Sequence, residues 1–72
     1  MHKTDWKVVG EYLNKKRIKK DIKLPEMKRR TGLSISTICR IEAGAAPHLD
    51  SLEAIGAVFG MKASAILKAC GK

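Results

Sequence analysis

The chain has little of what builds most catalytic and metal-bearing sites. Its two cysteines, Cys39 and Cys70, fall in separate segments with no Cys-x-x-Cys pair. That argues against a disulfide framework and, with no signal-like start, for a reducing cytoplasm. The histidines, His2 and His48, share no ligand spacing with the cysteines, so no metal site is expected. Neither histidine stands near a Ser, Cys or Asp at a nucleophile-like spacing, and no Gly-rich phosphate loop follows a strand, since no strand pattern is evident. An enzyme is therefore not expected, and neither is a cofactor. The longest run of small and apolar residues, Ala54 to Met61, is eight long, against the roughly 20 needed to span a bilayer. No internal repeat, low-complexity segment or linker interrupts the 72 residues. One domain over 1–72 is expected, with a core of about a dozen apolar side chains and no room for a small-molecule effector domain.

Acidic residues are scarce as well. Seven Asp/Glu stand against 15 Lys/Arg, a net charge of +8. The imbalance is one-sided: residues 1–40 hold twelve Lys/Arg and four Asp/Glu, while residues 41–72 hold three of each. Such asymmetry suits a polyanion, either nucleic acid or an anionic membrane surface, and its ordinary alternative is a solvated lysine-rich helix.

What the chain does have is helical spacing. Thr4 or Asp5 can cap a first helix running to about Lys20, with Trp6, Val9 and Leu13 as its apolar stripe. That stripe is needed for the core, which ranks a membrane-surface role for this helix low. Arg17 falls on the same stripe four residues after Leu13, and an arginine facing a core needs a partner. Glu42 stands in the matching place, four residues after Ile38. The spacing predicts a partly buried Arg17–Glu42 ion pair tying the first helix to the third. After a connection at 21–23, Pro25 suits the first turn of a short helix to Thr31, with Met27 inward and Leu24 beside it.

Gly32 and Ser34 then make a tight turn. Gly32 can take the left-handed conformation that ends one helix, and Ser34 can cap the next. Between Ser34 and Gly44, Ile38 and Ile41 share an inward face, leaving Ile35, Ser36, Thr37 and Arg40 pointing elsewhere. The run Lys28-Arg29-Arg30 lies just before them, so the exposed face suits a polyanion. A loop at 45–48 leads to a fourth helix marked by Leu52, Ile55 and Phe59. Asp50 lies near its positive end, Gly56 suits close packing and Gly60 stops it. A last helix, about Ala63 to Cys70, carries Ala63, Ile66, Leu67 and Cys70 on one side, one or two of them for the core and the rest for self-association.

Arg17, Gly32-Leu33-Ser34, Thr37-Ile38, Arg40-Ile41-Glu42 and Gly44, followed by Leu52, Ile55, Phe59-Gly60 and Ile66-Leu67, resemble the Cro/C1-type helix-turn-helix family of phage repressors and bacterial regulators. The resemblance covers about residues 6–68. It implies an all-α, compact five-helix, lambda-repressor-like domain whose helices 2 and 3 form the helix-turn-helix, with the third helix in the major groove of double-stranded DNA. Carried over, Ile35, Ser36, Thr37 and Arg40 meet base edges. Arg40 can donate twice to guanine, Ser36 and Thr37 can contact bases or phosphates, and Ile35 can touch a thymine methyl. Each has a plainer alternative: Arg40 binding phosphate only, Thr37 supporting the helix start, Ile35 packing on the second helix. Lys23, Lys28 and Arg29 are the candidate phosphate contacts, with Ser34 and His48 next.

Two positions depart from the family pattern. Leu24 replaces the glutamine common at the start of the second helix, and Pro25 removes an N–H beside it, which weakens the family's phosphate grip there. Lys28 replaces a small residue. The function implied is transcriptional regulation, as a repressor in the cytoplasm at the nucleoid, through a homodimer joined by Ile66, Leu67 and Cys70 on a partly palindromic operator. An antitoxin-like protein-interaction module with secondary DNA binding is the alternative, motivated by the apolar last helix.

Overall fold

A computed structural model describes residues 4–71. His2, weighed above, lies outside the described residues. Five helices and no strand are found among those residues: α1 (Trp6–Lys19), α2 (Leu24–Thr31), α3 (Ile35–Glu42), α4 (Leu49–Val58) and α5 (Ala63–Cys70). Each packs on two others, α1 on α3 and α5, α2 on α3 and α4, and α4 on α5, so the helices close a ring around one core. Val9, Leu13, Ile22, Met27, Ile38, Ile41, Leu52, Ile55, Ala63 and Ile66 fill it. No helix among the described residues is long and apolar enough to cross a membrane.

Asp5 caps α1, its carboxylate accepting from the N–H groups of Lys7 at 3.1 Å and Val8 at 3.4 Å. At the other end of α1, Asp21 adopts a left-handed φ of 58°. The N–H of Ile22 then donates back to the Arg17 carbonyl at 3.1 Å and that of Asp21 to the Ile18 carbonyl at 2.9 Å. This paired return usually needs glycine, but a short Asp side chain tolerates the backbone geometry. It turns Ile22 inward to 7% exposure, so the expected plain connection at 21–23 supplies a core residue. α3 and α4 end in the same way at Gly44 and Gly60.

Trp6 and Phe59 are half-buried flanks of the core rather than its centre. Gly56 serves close packing in a particular way. A Cβ there would run into the carbonyl oxygen of Met61, where the chain returns after α4, and would meet Ile66 of α5 at 3.0 Å.

The last helix corrects an expectation. Ile66 is fully buried, and Leu67 and Cys70 are half-buried against the core. What α5 leaves exposed is Ser64, Ala65, Lys68 and Ala69, small or polar side chains. With only five helices to enclose the core, Ile66 is consumed inside the chain and cannot belong to a dimer face, whereas Leu67 and Cys70 keep part of their surface open.

Candidate nucleic-acid interface

α2 ends at Gly32, in a left-handed conformation with φ 78°, and its N–H donates to the Lys28 carbonyl at 2.8 Å. Thr31 stiffens the turn by donating its hydroxyl to the Met27 carbonyl at 2.6 Å while accepting from the Leu33 N–H at 3.1 Å. Ser34 then caps α3. Its Oγ accepts from the Thr37 N–H at 3.1 Å and donates to the Thr37 hydroxyl at 2.9 Å. Two helices therefore meet across three residues at a fixed angle.

The inner side of α3 is fixed twice over. Ile38 and Ile41 are buried, and Glu42 is clamped by α1. Arg17 Nε donates to Glu42 Oε2 at 2.8 Å and Arg17 Nη2 to Oε1 at 3.2 Å. Asn14 Nδ2 adds a bond to Oε1 at 2.8 Å. Arg17 Nη1 donates to the Ile22 carbonyl at 2.8 Å, joining the connection to the same network. The Arg17 and Glu42 side chains are 12% and 11% exposed, so this is a nearly buried pair with most of its hydrogen-bonding capacity filled. Asn14 was not singled out from the sequence, although it lies three residues before Arg17 and so shares its face.

Gly10 was missed too. A Cβ on Gly10 would stand 2.7 Å from the Glu42 carbonyl oxygen and closer still to that of Ile41. The α1 backbone thus lies directly on the end of α3. A glycine inside an otherwise regular helix was the available signal.

Held this way, α3 and its C-cap Ala43 present Ile35, Ser36, Cys39, Arg40 and Ala43 to solvent. These positions follow helical spacing and form one face. Ile35, at the edge of this face, is 36% exposed. Thr37 is half-buried and its hydroxyl is engaged by Ser34, which fits support of the helix start better than base contact. Ser34, expected near phosphate, has its hydroxyl committed to the same cap. Cys39 was assigned no role from the sequence, yet it lies in the middle of the outward face. Cys70, by contrast, is half-buried, and burial pushes its thiol pKa up, keeping it protonated.

Charge surrounds this face unevenly. Lys28 and Arg40 are exposed and have no ion-pair partner among the described residues. Arg29 and Arg30 both reach Glu26, at 3.6 and 3.4 Å, in loose exposed pairs. Lys23 lies 3.7 Å from Asp21, again exposed. The start of α2 is a poor anion site: no side chain caps it, Pro25 has no N–H, and acidic Glu26 occupies the first turn. The start of α4 is different. His48 is its N-cap and does not cap with its side chain, and an open groove there is lined by Thr37, Arg40, Pro47, His48 and Ser51 among others. No group of His, Cys, Asp and Glu suited to a metal ion occurs among the described residues. No family model, curated protein or solved structure matches this chain.

Proposed function

We propose that the chain binds double-stranded DNA in a sequence-dependent way and regulates transcription, without catalysis, as a Cro/C1-type repressor domain. The observation that carries this reading is the two-sidedness of α3. Its inner side is locked by Ile38, Ile41 and the Arg17–Glu42 pair, and its outer side is a narrow exposed face with an unpaired arginine. A helix about 10–12 Å wide with its side chains fits the major groove, which is about 12 Å wide. In this reading Ser36, Arg40 and Ile35 meet base edges, Cys39 lies among them, and Lys28, Arg29 and Lys23 position the chain on phosphates. Two copies on half-sites about 10 base pairs apart would read a partly palindromic operator. Their contact surface is not the one built on Ile66.

The protein-interaction alternative rests on the apolar face of the last helix, of which Ala63 and Ile66 are spent on the core while Leu67 and Cys70 stay half-buried.

Salt dependence separates the two kinds of cation. Lys28→Ala is expected to weaken binding to all duplexes about equally and to reduce the slope of log affinity against log salt by about 1. Binding isotherms for one duplex at several salt concentrations measure this. An unchanged slope would remove Lys28 from the phosphate contacts.

A further inference from the structure

Reading of DNA by α3 draws on Lys23, Lys28, Arg29 and Arg40 and leaves the lysines of α1 unused. Lys15 and Lys19 are exposed, Lys16 is half-buried, and none of them has an ion-pair partner among the described residues. Even Glu11, one turn before Lys15, makes no pair with it. The negative end of α1 accounts for Lys16 and Lys19 in its last turn, but not for Lys15 and Lys7 further back.

These lysines face away from the reading helix. Gly10, Asn14 and Arg17 form the side of α1 that lies on the end of α3. At about 100° per residue, Lys15 and Lys19 stand about 140° and 180° round α1 from Gly10, and Lys16 about 120° the other way. α3 in turn directs Ser36, Cys39 and Arg40 away from its own inner side, which holds Glu42 against α1. The chain therefore carries two cationic faces on opposed sides, with α1 and α3 back to back between them.

The make-up of the α1 face selects its occupant. Val8 and Ile18 are exposed there, but ten residues separate them, about 15 Å along the helix. The stripe of Trp6, Val9 and Leu13 is turned to the core, so no continuous apolar strip is left for a membrane interface. A protein partner needs an apolar or aromatic centre, and lysine is depleted from such centres. A single strand needs open aromatic faces for stacking. Tyr12 is half-buried, with the Lys16 ammonium 5.7 Å over its ring and its hydroxyl donating to Met61 Sδ at 3.6 Å. Compact ammonium charges on flexible stems suit the phosphates of a duplex.

We propose that the α1 face of Lys15, Lys16 and Lys19 binds the backbone of a second DNA duplex, so that one chain bridges two duplexes. The second duplex is held without sequence preference, because phosphates carry none. Bridging rests on the duplex reading by α3, whereas phosphate binding by α1 does not.

The test is energy transfer between donor-labelled and acceptor-labelled duplexes of mixed sequence, each about 20 base pairs and so long enough for two half-sites. The double variant Lys15→Gln/Lys19→Gln changes exposed positions only. Wild type is expected to bring the two labels together. The variant is expected to lower that transfer about tenfold while its Kd for one duplex, with the chain in excess, stays within about twofold. In the nitrogen-15-labelled wild type, excess duplex is expected to move the amide signals of Lys15, Lys16 and Lys19 together with those of Ser36 and Arg40. Movement at α1 alone, lost in the variant, would overturn the reading by α3 and with it the bridging, and leave phosphate binding by α1 standing. With both sets of signals moving, transfer that is absent, or equal in wild type and variant, would overturn the bridging. Equal losses of transfer and of single-duplex binding would place these lysines on the first duplex and overturn it too. Signals of α1 that stay still under excess duplex, or that respond more strongly to phosphatidylserine vesicles or to polyglutamate at matched salt, would overturn the assignment of this face to a duplex.

Discussion

Replacing Glu42 by alanine is expected to cost about 3–5 kcal/mol of stability, because it leaves the Arg17 guanidinium buried without its counter-charge. The effect exceeds that of a surface pair, which is worth about 1 kcal/mol or less, since both side chains are close to nine-tenths buried. Glu42 also holds Asn14, so three donated bonds are lost from one carboxylate. For a domain of this size each kcal/mol shifts Tm by roughly 4–8 °C, so a fall of more than about 12 °C is expected in thermal unfolding followed by circular dichroism. A second variant separates charge burial from packing. Replacing Arg17 and Glu42 together by Met and Leu should recover much of the loss, because no unpaired charge remains. A Tm for Glu42→Ala within about 2 °C of wild type would show that the pair contributes nothing.

Gly10→Ala sets two effects against each other, and their sizes decide the sign. Alanine is the better helix former by about 1 kcal/mol in a helix interior, which favours the variant. Against this, the new Cβ would enter the space of two backbone carbonyl oxygens, those of Ile41 and Glu42, and neither can move without shifting the end of α3. Overpacking against a rigid neighbour costs about 1–3 kcal/mol and occasionally more. We expect a net destabilisation of about 2 kcal/mol by denaturant unfolding, together with weakened duplex binding, since α3 would tilt. A variant as stable as wild type would mean that α1 and α3 are not in this close contact.

The order and ends of the helices were legible in the sequence because caps and stops are local. Asp5, Ser34, Gly32, Gly44 and Gly60 each act within a few residues of themselves. Arg17 and Glu42 were legible for a different reason: a charge on an apolar stripe demands a partner, and each helix offered one. What escaped had no such demand. Ile22 was hidden by Asp21, which takes a backbone conformation normally announced by glycine. Gly10 carries no side chain to count on either face. The role of Ile66 failed through competition: four apolar residues on α5 could serve a core or a partner, and only the packed structure shows that Ala63 and Ile66 are the ones the core encloses. The exposure of Cys39 follows the same spacing that exposes Ser36 and Arg40, and a chemical role was not needed to place it.

The central claim is that the outward face of α3 reads base pairs. Selection of bound duplexes from a random pool by the wild-type chain and by Arg40→Ala tests it most directly. The wild type should enrich a defined motif, with related half-sites about 10 base pairs apart, and Arg40→Ala should lose preference at one base-pair position, a discrimination of about 1–3 kcal/mol. A pool that stays random, or a motif unchanged by Arg40→Ala, would contradict it.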